Sequence, residues 1–188
     1  KDSIAHTLVL DGSGSDTIVT QALGSHRFEV TVRGPGGHSW SDFGAPNPIV
    51  ILARAIASFS RTELPAEPRT SASIGVIQGG TSVNTIPESA SARVDIRSTS
   101  SQEMERLERA LRAAVEEALA EEAAAERRGA TAKQRASVEI ASIGSRPAAE
   151  LPESARILEV VRAVDAHLSN ASRLHRASTD ANIPLSLG

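Results

Sequence analysis

The sequence of 188 residues has 20 basic and 23 acidic side chains, a net charge of −3, 2% aromatic residues and no cysteine. Its basic residues are dispersed among acidic ones, which leaves no stripe to follow a phosphate backbone and argues against nucleic acid as a partner. No apolar run reaches membrane-spanning length, and the lack of cysteine removes disulfides and thiolate zinc sites and fits a cytoplasmic location.

With so few aromatics the core must come from Ile, Val, Leu and Ala. The length suits one domain plus remnants, and a chain that opens at Lys1 and stops at Gly188 just after an apolar run reads as a fragment. Residues 5–10 read as a short buried strand closed by the turn-prone Asp11 to Asp16, with a linker after it. From His26 to Arg33, Phe28, Val30 and Val32 alternate with charged and polar residues, the pattern of a half-buried strand.

Gly34-Pro-Gly-Gly-His-Ser-Trp-Ser-Asp-Phe-Gly44 follows, a loop that places His38 and the only tryptophan among four glycines. Glycines let a backbone approach a ligand closely, so chemistry is expected here. Taken alone, such a histidine is more often a turn residue than a functional one. Asn47 then caps a helix with Pro48 at its first position and Ile49, Leu52, Ile56 and Phe59 at helical spacing. After a loop from Glu63 to Pro68, Thr70, Ala72, Ile74 and Val76 mark a second strand, free of charge and proline.

Two glycines and a proline make 78–87 a loop rich in hydrogen-bonding side chains. Ala92, Val94 and Ile96 mark a third strand over Ala90 to Arg97. Ser100 and Glu103 form a capping box for a helix in which Met104, Leu107, Leu111, Val115, Ala118 and Leu119 face a core, running to about Arg128 and ended by Gly129. Val138, Ile140 and Ser142 mark a fourth, short strand before Gly144. The order β-α-β-β-α-β is the ferredoxin-like pattern, an α+β fold with a four-stranded antiparallel sheet and two helices on one face. Beyond Pro152, a helix bearing Ile157, Val161, Val164 and Leu168, a strand at Ser172 to Arg176 and a polar loop from Ala177 to Asn182 opening onto a helix have no place in that unit.

The motifs Gly36-Gly-His-Ser39, Gly79-Gly-Thr-Ser-Val-Asn-Thr-Ile-Pro87, Asp95-Ile-Arg97 and Ser178-Thr-Asp-Ala181 occur in one order along the chain. In that order and spacing the chain resembles the co-catalytic zinc peptidases and amidohydrolases, the superfamily of glutamate carboxypeptidase, peptidase T, aminoacylase and succinyl-diaminopimelate desuccinylase. The resemblance implies a dimerisation or lid domain at 24–147, inserted between catalytic-domain fragments at 1–23 and 148–188 of an α/β domain.

It also implies roles. His38 is similar to a histidine that donates to the tetrahedral oxyanion in the partner subunit's site. Asn84 matches an asparagine that binds substrate beside it, Arg97 an arginine that holds the substrate carboxylate, and Thr179 a substrate-contacting position. The family's two zinc ions are held by segments outside this sequence. His6, His26, His167 and His175 have no ligand spacing, so no metal is expected in this chain, and the chain alone is expected to be inactive.

The implied substrate is a small peptide or N-acyl amino acid, with carbamoyl compounds also open. A homodimer is expected through strand 70–77 and helix 47–59, because the second and fourth strands are the edges of such a sheet and the fourth is short and carries Glu139. Two other classes compete. A free-standing ferredoxin-like regulatory module that binds a small molecule would leave the flanking segments unexplained. A serine hydrolase using Ser39 or Ser82 with His38 lacks Gly-Xaa-Ser-Xaa-Gly.

Overall fold

The computed structural model describes residues 6–11, 14, 16–125 and 135–187. In chain order the elements are β1 (Thr17–Ala22), β2 (Gly24–Arg33), β3 (Gly37–His38), α1 (Pro48–Phe59), β4 (Thr70–Gly79), β5 (Thr85–Ile86), β6 (Ser89–Ser98), α2 (Ser101–Ala125), β7 (Ser137–Arg146), β8 (Ala149–Glu150), α3 (Arg156–His167), β9 (Arg173–Ala177) and α4 (Asn182–Leu187).

The period-2 segments pair as their patterns require. β2 and β6 run antiparallel with Phe28 opposite Val94 and Val30 opposite Ala92, which brings two apolar rows onto one face. β4 and β7 complete the antiparallel sheet in the order β4-β6-β2-β7, so the second and fourth strands of the ferredoxin-like unit are its edges. α1 and α2 lie side by side over the apolar face, where Ile51, Leu52, Ala55 and Phe59 meet Met104, Leu107, Leu111 and Val115. Full burial of each such aliphatic side chain contributes about 1.5–3 kcal/mol. A second sheet, β8-β1-β9, collects the flanking strands, with β1 antiparallel to β8 and parallel to β9.

Several sequence expectations change. The described part of the strand expected at 5–10 is not a strand, and Leu8 and Leu10 are exposed. The strand is β1, in which the β-branched Thr17, Ile18 and Val19 pair with β9, while Gln21 and Ala22 pair with β9 on one side and β8 on the other. On α1 the buried stripe is Ile51, Leu52, Ala55 and Phe59, which leaves Ile49 partly exposed. β4 runs on to Gly79, and its pairing slips between Ile74 and Val76. Gly75 is thereby left as a bulge, which turns Val76 to the face of Arg93 and away from Ile74.

β7 is also longer than expected. It bulges at Ile143 and continues to Arg146, so it has the same length as β4. Half of the capping box forms. Glu103 N–H donates to Ser100 Oγ at 3.4 Å, but the Glu103 carboxylate pairs with Arg106 and the Ser100 N–H donates to Ser98 Oγ at 3.0 Å instead. On α3 only Leu158 is buried, with Val164 and Leu168 exposed. The expected helix end at Arg128 and Gly129 lies outside the described residues.

Candidate functional site

Gly36 (φ +71°) and Gly37 (φ +147°) carry the chain out of β2 in conformations that L side chains rarely adopt, and a Cβ on Gly37 would lie 2.8 Å from Asp42 Cβ. The space that Gly37 leaves open is used by Asp42. Its Oδ2 accepts the His38 backbone N–H at 2.8 Å and the Ser41 hydroxyl at 3.1 Å, while its own N–H donates to His38 O at 2.9 Å. The backbone bond from His38 and then the Ser41 hydroxyl hold the Asp42 carboxyl below its ordinary range.

β3 pairs with β5, and Ser39 N–H donates to Asn84 O at 2.9 Å, which fixes the histidine loop to the 80–84 loop. Trp40 N–H donates to His38 Nδ1 at 3.2 Å. A backbone N–H can only donate, so in the neutral ring the proton sits on Nε2. Ser82 Oγ donates to Asn84 Oδ1 at 2.8 Å, which leaves the Asn84 Nδ2 amino group 3.4 Å from His38 Nε2. In this amide orientation and ring tautomer, two N–H donors stand side by side at an exposed edge. Such a pair has no use for one another and suits an oxygen that carries negative charge.

Arg97 lies at the opposite end of β6. It lies eight residue steps beyond Ser89, about 27 Å at about 3.4 Å per residue. Its Nε donates to Asp95 Oδ2 at 2.6 Å, and Asp95 Oδ1 accepts Arg27 Nε at 2.9 Å. Burial works to raise the Asp95 pKa, but the hydrogen bonds from Arg97 and then Arg27 outweigh it and hold the carboxyl below its usual range. The arginine thus has the carboxylate neighbour that a plain surface strand residue would have, while its side chain stays 37% exposed. It lines an open cleft of about 660 Å³ with Arg69 and Ser71 on one side and Gln21, His175 and Arg176 on the other.

Thr179 sits in the loop between β9 and α4. Its N–H donates to Asn182 Oδ1 at 2.8 Å and its Oγ1 accepts the Ala181 N–H at 2.9 Å. The fold therefore brings His38 and Asn84 together and keeps Arg97 apart from them. Among the described residues no group of three or more His, Cys, Asp or Glu could hold a metal ion. Sequence reasoning missed Asp42, whose signal was an acidic residue four positions after the histidine in a glycine loop. It also missed Asn182, whose partners are distant in sequence.

A family profile described as the peptidase dimerisation domain matches residues 20–123, more than half of the chain. The chain belongs to that family. A probable carboxypeptidase from Ajellomyces capsulatus is 33% identical over 103 residues, which are 49% of this chain and 24% of the relative. The fold is shared with the aminopeptidase PepT of Bacillus cereus, at a TM-score of 0.72 and 24% identity over 95% of this chain and 45% of that one. A tripeptidase of Staphylococcus aureus matches at a TM-score of 0.69 and 18% identity over 94% of this chain and 44% of that one. The chain thus spans about a quarter of the curated relative and under half of these structures. This dimerisation domain accounts for β2 through α2, including both loops that carry His38 and Asn84.

Proposed function

We propose that this chain is the dimerisation and substrate-binding lid, residues 24–147 with catalytic-domain segments on either side, of a zinc-dependent peptidase or amidohydrolase that cleaves a peptide or N-acyl amide bond. In this reading the two zinc ions are held by other segments of the parent protein, and the isolated chain is inactive. A cytoplasmic location is compatible with the cysteine-free sequence and belongs to the same reading.

The observation that carries this reading is the separation within one chain of the His38–Asn84 donor pair from Arg97. A hydrolysed amide passes through an oxyanion, and its substrate ends in a carboxylate. His38 Nε2–H and Asn84 Nδ2–H would stabilise the first, and the guanidinium of Arg97, freed from Asp95, would grip the second in a bidentate fork. One small substrate cannot touch both ends of a strand about 27 Å long. Two chains related by a two-fold axis remove the difficulty, the donor pair of one serving the Arg97 side of the other.

The edges favour β4 as the seam. The two edge strands are equally long, but β7 carries Glu139 and Arg146 whereas Thr70 to Gly79 has neither charge nor proline to block pairing. Next to this edge Trp40, Ile77 and Val83 present large exposed apolar side chains, and α1 covers the β4 side of the sheet, where its copy would meet it. The alternative of a free-standing ligand-binding module gains no support, because the flanking segments it leaves unexplained form a sheet around β1.

Mixing variants of the full-length protein tests the shared site. His38→Ala and Arg97→Ala homodimers should each be nearly inactive on an N-acyl amino acid or small peptide. Subunit exchange between them should restore about a quarter of wild-type activity, since half of the dimers are mixed and one of their two sites is intact. No recovery after demonstrated exchange would refute the shared site.

A further inference from the structure

We infer that Asn182 is a clamp that fixes the placement of the four-stranded sheet against the three-stranded one. The chain passes between the two sheets twice, at Leu23 between β1 and β2 and at Pro147-Ala148 between β7 and β8. The Asn182 amide spans both crossings. Its Nδ2 donates one hydrogen to Leu23 O at 2.9 Å and the other to Pro147 O at 2.9 Å.

The rest of the residue is equally engaged. Oδ1 accepts the Thr179 N–H at 2.8 Å, and the side chain is 1% exposed in a region where Leu23 N–H is itself bound to Ala177 O. A buried asparagine that uses both amide hydrogens on backbone carbonyls is costly to replace, because each carbonyl left without a donor is an unmet polar group away from water. Both carbonyls belong to segments that have left one sheet and not yet entered the other, so neither sheet's own ladder can satisfy them.

The clamp matters because little else holds the two sheets in register. Among the described residues, no strand or helix around β1, β8 and β9 packs broadly on an element of the four-stranded unit. Besides the Leu23 N–H bond to Ala177 O, the polar ties among the described residues lie at the surface, where Arg146 reaches Ser178 Oγ at 3.5 Å and the exposed Asp180 at 3.6 Å. Two crossing points with no broad interface form a hinge, and a side chain that bonds both crossings and the Thr179 loop sets its angle. That angle decides how far Arg97 stands from His175 and Arg176 across the cleft. Asn182 is thus a positioning residue, not a catalytic one.

A distance measurement tests the clamp independently of any hydrolase activity. The cysteine-free chain allows spin labels at Arg109→Cys and Glu159→Cys, one in each unit, with Arg109→Cys and Glu139→Cys as a pair inside the four-stranded unit. Labelled protein is diluted with unlabelled chain so that distances within one chain are read. Asn182→Asp keeps the size and the acceptor for Thr179 but replaces the donor with an oxygen; Asn182→Ala removes both functions. In each variant the inter-sheet distance distribution should broaden about twofold or more while the pair within the unit stays unchanged. An inter-sheet distribution as narrow as wild type overturns the proposal. So does broadening of both pairs together, which would make Asn182 a part of the general fold.

Discussion

Asn84→Asp exchanges the amide nitrogen that faces His38 Nε2 at 3.4 Å for a carboxylate oxygen, with almost no change in shape. If the two groups act as paired donors toward an oxyanion, the exchange does two separate harms. It removes one donor, which in comparable sites costs about 2.7–4 kcal/mol of barrier, or about 10²–10³ in kcat. It also places a negative charge beside the developing one. At about 4 Å that repulsion is about 1 kcal/mol in water and about 4 kcal/mol at an effective dielectric constant of about 20, and the exposed edge lies toward the first value until a substrate and a second subunit cover it. Asn84→Asp should therefore fall below Asn84→Ala by about fivefold to about 10³-fold in kcat. Steady-state kinetics of the full-length protein on an N-acyl amino acid measure this, with thermal melting as the control, because Asn84 is exposed and is not part of the hydrophobic core. Equal rates for the two variants, or a faster Asp variant, would refute the paired-donor geometry.

Further predictions concern the fold. Asn47 Oδ1 accepts the N–H groups of Ile49 at 3.0 Å and Val50 at 3.4 Å, so Asn47→Ala should destabilise the domain by about 0.5–2 kcal/mol in denaturant melts, while Asn47→Asp retains most of that. The Asp95 pKa is depressed on folding, so its contribution is fully present above the ordinary carboxylate value of 3.8 and is lost as pH falls through the lower folded value. Wild type should therefore exceed Asp95→Asn in melting temperature at about pH 6, with the gap closing toward about pH 2; a gap independent of pH would contradict the ion-pair account.

Much of the architecture was legible because it follows from local periodicity. Phe28, Val30 and Val32 on β2 and Val94 and Ile96 on β6 alternate with polar residues, and a period of two leaves one way to bury them. Met104, Leu107, Leu111 and Val115 fix the buried face of α2 in the same way. Where local signals were equal or weak, the expectations failed. Leu8, Val9 and Leu10 looked more strand-like than Thr17 to Ala22, yet β1 is the segment whose backbone groups find partners, in strands more than a hundred residues away. The bulge at Gly75 was hidden for a similar reason, since a slip in pairing is a property of two strands.

For the candidate site, the sequence by itself determined which residue types are present in which loops: a histidine among glycines, an asparagine after a glycine pair and an arginine at a strand end. Hydrogen-bonding capacity is written in the side chain. Only the tertiary structure decided how they combine. It pairs β3 with β5 so that His38 and Asn84 stand 3.4 Å apart, and places Arg97 at the other end of β6 in a bond with Asp95. It also makes Asn182 reach Leu23 and Pro147, 159 and 35 residues away. Such contacts arise from chain crossings, and a crossing is fixed by where the whole core can close, which no local pattern encodes.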